Sequence, residues 1–285
     1  MDDLQDAAEV LAVAMRLRDV TVDRDPDNAA RARVALVRRD PLAKRSPSWP
    51  HADADAVSLW EPVPVGVDEA GEQVRIPLPE HNVLLGGEPG AGKSAALSLL
   101  VATAALDPGV GLHLFDGKLV ELATWAGCAD HNVGVSIRAA NDVLRELQVE
   151  MDDRYLALLA NRARKVTPDA DLPLHVLVVD ELAHYLLAPD RKDRTEFTER
   201  LRDIVARGRA AGLIVIAATQ KPAHDVIPTA LRDLIGFRWA LRCSTPQASD
   251  TVLGAGWASL GFSAADIDAA HRGVGYLLHE GDQDS

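Results

Sequence analysis

The octapeptide Gly87-Glu88-Pro89-Gly90-Ala91-Gly92-Lys93-Ser94 lies between a short apolar run, HNVLLGG at 81–87, and a helix-forming run that reaches Leu106. It satisfies G-x-x-x-x-G-K-[ST] in the strand–loop–helix setting which that spacing requires. Glycines let the backbone wrap an anion with its N–H groups where side chains would obstruct the approach. The helix that follows turns the positive end of its dipole to the same point. The pattern therefore assigns Gly87 to Ser94 to the phosphates of ATP. Lys93 is expected on the β and γ oxygens, and the Ser94 hydroxyl on Mg2+.

A second half of such a site stands some ninety residues on. His175-Val-Leu-Val-Val-Asp180-Glu181 is an unbroken apolar run that ends in two carboxylates. An acidic residue at the tip of a buried strand can hold the metal, and its neighbour can take a proton from the attacking water. Asp180 is thus expected on Mg2+ and Glu181 as the catalytic base. The next apolar run, LIVIAATQ at 213–220, ends in Thr219-Gln220, where an amide can sense the γ-phosphate. Arg207-Gly-Arg209-Ala-Ala-Gly212 precedes it, and an arginine there is expected to reach the phosphate of a neighbouring subunit.

The remaining chain reads as follows. Residues 1–19 have helical spacing, 21–30 read as a polar linker, and 30–40 alternate as a strand. Residues 41–56, rich in Pro and Ser, suggest a mobile connection. VPVGVD and EQVRIPL form a hairpin about Glu69-Ala-Gly. Strands are expected at 111–116, 237–243 and 273–280, a long helix capped by Ser136 that runs to about Lys165, and a charged helix from Thr195 to Ala211. Continuous apolar strands that alternate with helices imply a parallel sheet covered on both faces. The expected fold is α/β: a RecA-like P-loop NTPase with a mainly parallel sheet, divided as 1–60 (helix, strand and linker, a small α/β appendage) and 61–285 (the ATPase).

Composition narrows the setting. No apolar run reaches the roughly 20 residues of a membrane helix, and the Met-Asp-Asp start lacks the pattern of a secretory signal. Cys128 and Cys243 stand far apart in no metal-ligand spacing, as in a reducing cytoplasm. The formal net charge of −13 argues against a surface that coats nucleic acid, but leaves room for a local basic groove or pore.

Together these segments resemble the FtsK/SpoIIIE family of double-stranded DNA translocases, over roughly Pro64 to Glu280. The resemblance is carried by PVGVDEAGEQVRIPL before the loop, LFDGKLVEL at 114–122, LQVEMDDRYLALL at 147–159, LVVDELAHYL at 177–186 and ARGRAAGLIVIAATQKP at 206–222. It implies a homo-oligomer, a hexameric ring, with duplex DNA in its pore and ATP hydrolysed between subunits. It also implies Arg209 as the finger and Gln220 as the sensor. Within the family it resembles the short forms of actinobacterial conjugative plasmids and integrative elements, which implies a cytoplasmic protein, or one held at the membrane by a separate anchored partner. In the segment where the family often carries basic pore residues, Ser244 to Leu253, Pro246 and Asp250 stand instead. Lys221, Arg232 and Arg238 are the remaining candidates for DNA contact. Rival readings are a chromosome-partitioning DNA pump, a peptide motor of the type VII secretion kind, which shares these modules, and a regulatory ATP-binding protein without motor activity.

Overall fold

The computed structural model describes residues 2–24, 28, 31–38, 48–170, 172–220, 222 and 226–279. The chain parts into two compact units, Met1–Ala52 with Pro64–Arg75, and Asp53–Val63 with residues 76–283. The hairpin at 64–75 groups with the N-terminal segment.

The smaller unit begins with helix α1 (Asp2–Ala14). Strands β1 (Asp19–Arg24) and β2 (Ala32–Val37) pair antiparallel, with Val20 opposite Leu36 and Val22 opposite Val34. The start of the expected 21–30 linker is therefore a strand. Its alternation buries Val20 and Val22 and outweighs the polar residues between them. Strands β3 (Val63–Val67) and β4 (Gln73–Ile76) form the second two-stranded sheet. Asp68 closes their turn by accepting from the N–H groups of Ala70 (2.9 Å) and Glu72 (2.8 Å). The first part of the expected mobile connection, 41–47, lies outside the described residues.

The larger unit is built on a seven-stranded sheet. In chain order its elements are β5 (Val83–Gly86), α2 (Lys93–Ala105), β6 (Val110–Phe115), β7 (His131–Val133), α3 (Ile137–Ala160), β8 (Leu174–Val179), α4 (Leu182–Leu186), α5 (Arg191–Arg207), β9 (Leu213–Thr219), α6 (Thr229–Arg232), β10 (Phe237–Leu241), α7 (Pro246–Leu253) and β11 (Gly275–His279). The strand order is β11-β10-β5-β9-β8-β6-β7, and only the β10–β11 pair is antiparallel. Every residue of β5 and β9 is buried, as strands covered on both faces require. In register, Gly86 lies opposite Thr219, Ala217 opposite Val179, and Val179 opposite Phe115. The carboxyl ends of four parallel strands therefore come level at one edge, where ligands of open α/β sheets bind.

Two helices brace the sheet. Helix α3 opens on Ser136, whose hydroxyl accepts from Ala139 N–H (3.3 Å), and it buries Val143, Leu144, Leu147, Met151 and Leu158. It stops at Ala160, short of Lys165, and Arg162 just beyond takes a positive φ of 54°. Helix α5 starts earlier than Thr195 because Asp190 caps it, accepting from Lys192 and Asp193 N–H groups. It buries Phe197, Leu201, Ile204 and Val205, and the chain then tightens into a 3-10 turn over Gly208–Ala211. Asn82 joins these layers from the inside. Its amide donates to Val205 O (3.0 Å) and its carbonyl accepts from Val215 N–H (2.8 Å), which satisfies a fully buried side chain.

Candidate functional site

The loop after β5 holds its shape through backbone conformations that side chains resist. Gly90 and Gly92 take φ of 82° and 107°. A Cβ on Gly92 would also meet the backbone of Gly273 at 2.8 Å, and Gly273 N–H donates to Ala91 O (2.8 Å). The C-terminal segment thus supports the loop from behind. Glu88 anchors the front: its N–H donates to Arg242 O (2.9 Å), and its carboxylate pairs with the Arg242 guanidinium. Nothing lies within 4 Å of where a Cβ on Gly90 would stand, so the loop is open at that residue. Helix α2 begins at Lys93, and Ser94 is exposed on its first turn.

Lys93 is buried, and its ammonium forms an ion pair with Asp180 Oδ1 while also donating to Asp180 O (3.2 Å). Asp180 is wholly buried at the tip of β8. Burial raises its carboxyl above the usual range, against the opposing pull of Lys93 and then Lys118. Its Oδ2 is buried and makes no hydrogen bond. A divalent cation is the partner that such an orphaned carboxylate oxygen fits, and the open loop with exposed Ser94 fits a nucleotide beside it.

Glu181 is gripped from the neighbouring strand. Thr219, at the end of β9, donates its hydroxyl to Glu181 Oε1 (2.7 Å), and Gln220 N–H lies 3.3 Å from both carboxylate oxygens. Lys118 Nζ stands 3.1 Å from Oε2. The position of β9 between β5 and β8 brings the tip of the Gln220 strand between the loop and the two carboxylates. Lys118 is the residue that sequence reasoning missed. Its segment was singled out only as LFDGKLVEL, and no local pattern says that its ammonium reaches Glu181. Beside Glu181 a cavity of about 750 Å³ opens, lined by Lys118, Ile137, His184, Leu187 and Gln220 among others.

The two arginines of the 208–211 corner differ. Arg207 is tied to its own subunit by Asp203 (2.6 Å from both Nε and Nη2) and Asp152 (2.9 Å), and these carboxylates raise its pKa further. Arg209 is exposed on the 3-10 turn. Helix α3 holds that turn: Arg154 donates to Ala211 O (2.9 Å) and Pro173 O (2.7 Å), and Tyr155 donates its hydroxyl to Arg207 O (2.5 Å).

The candidates for polymer contact fall elsewhere. Lys221 lies outside the described residues. Arg232 is buried and pairs with Asp233 at 3.3 Å. Arg238 is buried in β10, where its guanidinium donates to Ile235 O (3.2 Å) and Leu253 O (3.0 Å) and so holds the end of α7 against the sheet. The segment with Pro246 and Asp250 is helix α7, capped by Thr245, and Asp250 accepts from Gly256 (3.0 Å) and Ala258 (2.8 Å) N–H groups. No helix among the described residues is long and apolar enough to cross a membrane.

A phosphate loop at the end of a central parallel strand, with two carboxylates at the tip of another and a polar strand end between them, defines a P-loop NTPase. The FtsK/SpoIIIE family model matches residues 51–249, and the chain belongs to that family. It is 29% identical over 217 residues to a DNA translocase FtsK of Staphylococcus aureus, an alignment that covers 69% of this chain and 27% of that protein. It is 30% identical over 233 residues to Protein Tra of Streptomyces lividans, with 75% of this chain and 37% of that protein covered. The alignments therefore span between 27% and 37% of the length of these relatives. Among solved structures it is similar in fold to the conjugation coupling protein TcpA of pCW3 in its monomer form with ATPγS. That likeness has a TM-score of 0.69 at 18% identity and covers 98% of this chain and 78% of that one. The cytoplasmic domain of the Thermomonospora curvata type VII secretion ATPase EccC is similar too, with a TM-score of 0.62 at 20% identity over 84% of this chain and 29% of that one.

Proposed function

We propose that this chain is the motor domain of an ATP-driven translocase of double-stranded DNA, working as a hexameric ring in conjugative transfer of a plasmid or integrative element. The observation that carries the hydrolytic part is the meeting of three strand tips: Lys93 on Asp180, and Glu181 held by Thr219 and Gln220. Gly87 to Ser94 would hold the phosphates through backbone N–H groups, with Lys93 moving from Asp180 to the β and γ oxygens. Ser94 and Asp180 would hold Mg2+, which supplies charge neutralisation on those oxygens when bound. Glu181 would take the proton of the attacking water at its carboxylate. Gln220 would report the γ-phosphate along β9, and Arg209 would enter the site of the next subunit.

The DNA part rests on kinship with proteins named DNA translocase FtsK and Protein Tra. No membrane span is needed in this segment if a separate anchored partner holds the ring at a membrane. A peptide motor is the second reading, favoured by the fold shared with the type VII secretion ATPase. ATP turnover with and without linear duplex DNA separates the two. Stimulation by duplex supports the DNA motor, and stimulation by a secretion peptide but not by DNA replaces it.

A further inference from the structure

Glu181 has both carboxylate oxygens engaged. Oε1 accepts the Thr219 hydroxyl at 2.7 Å and Oε2 faces Lys118 Nζ at 3.1 Å, while Gln220 N–H spans the two at 3.3 Å. These donors take up most of the carboxylate's roughly four acceptor sites, so a water must compete for Glu181 with the groups that already face it. The partners are unequal. Thr219 and Gln220 belong to the central strand β9 and its exit, where Thr219 is wholly buried. Lys118 stands on a loop at the carboxyl end of β6, and its side chain is 30% exposed.

The Lys118 ammonium is itself poorly satisfied. It lies within ion-pair distance of Glu181, but its Nζ is buried and makes no aligned hydrogen bond. An ammonium with three donors and one off-axis acceptor exchanges readily for a better anion. Its loop, by contrast, is firmly built. Asp116, buried below it, accepts from Lys118 N–H (3.0 Å) and Leu122 N–H (2.9 Å). Asp116 N–H in turn donates to Val133 O (2.7 Å) on the adjacent edge strand. The backbone thus delivers Lys118 to Glu181, and only the side chain has to swing.

We propose that Lys118 is a positioning residue that latches Glu181 and holds ATP turnover down until its ammonium transfers to a more anionic partner. The inference rests on the reading of Glu181 as the base, and the test keeps the two apart.

Basal ATP turnover is measured for wild type, Lys118→Ala, Lys118→Met and Lys118→Arg, each checked for an unchanged thermal midpoint, with Glu181→Gln alongside. A part-exposed ion pair of this kind predicts a rise in kcat of about fivefold for the Ala and Met variants. KM for ATP stays within about twofold, and Lys118→Arg stays at the wild-type rate because it keeps the charge. A merely structural lysine would not raise kcat. Unchanged or lowered kcat in both neutral variants, or a raised KM, overturns the latch. Turnover by Glu181→Gln near the wild-type rate instead overturns the base assignment on which the latch depends.

Discussion

Lys93, the last residue but one of the phosphate loop, closes onto Asp180 at the tip of β8, 87 residues away in the chain, with its ammonium on Oδ1 and a second bond to the main-chain oxygen at 3.2 Å. The pair is almost wholly buried. Removal of one partner leaves the other as an uncompensated charge in a dry site. Lys93→Ala is therefore expected to lose ATP binding and, separately, to lower the folding stability by about 3 kcal/mol. Lys93→Ala with Asp180→Asn should recover most of that stability and none of the binding. Urea unfolding and a fluorescent ATP analogue measure the two effects, and a single mutant as stable as wild type would show that the buried pair contributes nothing.

Glu181→Gln keeps the shape of the side chain and its place beside Thr219, but it can no longer take a proton. ATP binding should stay within about threefold of wild type while turnover falls by at least about a hundredfold, in the range of general base catalysis. Binding by calorimetry and phosphate release report these independently. A variant that binds and still turns over excludes Glu181 as the base.

The 208–211 corner supports a prediction about subunits. Arg209, exposed on the 3-10 turn, is the arginine we propose for a neighbouring site, in the position that matches the finger of the family. Mixtures of Arg209→Ala with Glu181→Gln should recover part of the hydrolysis that neither shows alone, because some shared sites then receive both intact halves. Failure of every mixture, with assembly confirmed by sedimentation, counts against a trans role for Arg209 and brings Arg207 forward in its place.

Arg154 and Tyr155 hold that corner from α3. Arg154→Ala removes a buried cation that meets two main-chain carbonyls and Glu150, and is expected to cost about 3 kcal/mol or more of stability. Tyr155→Phe removes one hydrogen bond and should cost about 1 kcal/mol. Chemical denaturation orders the two; a milder effect from Arg154→Ala would mean that the corner is held by other contacts.

Three histidines under α3 predict acid lability. His113 Nδ1 lies 3.0 Å from His131 Nδ1, and His113 Nε2 lies 2.9 Å from His175 Nδ1. Burial, with the neighbouring imidazoles, lowers the His113 pKa to about 3. Burial and then Arg154 lower His175 to about 4, against the pull of Glu150 and Asp130. In the unfolded chain both titrate near their ordinary 6.5. Below that pH the unfolded state binds more protons than the folded state. Stability is therefore complete above about pH 6.5 and falls as the pH drops toward 4, by up to about 1.4 kcal/mol per pH unit for each histidine. Urea midpoints at pH 7.5 and pH 5 should differ, and His113→Gln should narrow the gap. Equal midpoints would show that the imidazoles become charged without loss of the fold.

Much of the site was legible in the chain because it is local. The phosphate loop is eight contiguous residues, and the strands that carry it and Asp180-Glu181 are apolar runs whose polar ends mark the carboxyl edge. Ser136 and its helix were also readable, since a cap and a 3.6-residue period are short-range properties. Asp19–Arg24 was less so, because a short strand earns its status from its pairing with Ala32–Val37.

The tertiary structure decided what depends on pairing at long range. The insertion of β9 between β5 and β8 sets Thr219 and Gln220 on Glu181, and strand order is not written in any one strand. The same holds for Lys118, whose segment gives no sign that it ends beside a carboxylate 63 residues away by number. Arg238 shows the converse. In the sequence it is a cation free to meet a polymer, but β10 lies between β5 and β11, and that position turns its guanidinium onto the carbonyls of Ile235 and Leu253. A charge is equally a surface contact or an internal strut until the fold determines which acceptors surround it, because desolvation and hydrogen bonding act only on the assembled neighbourhood.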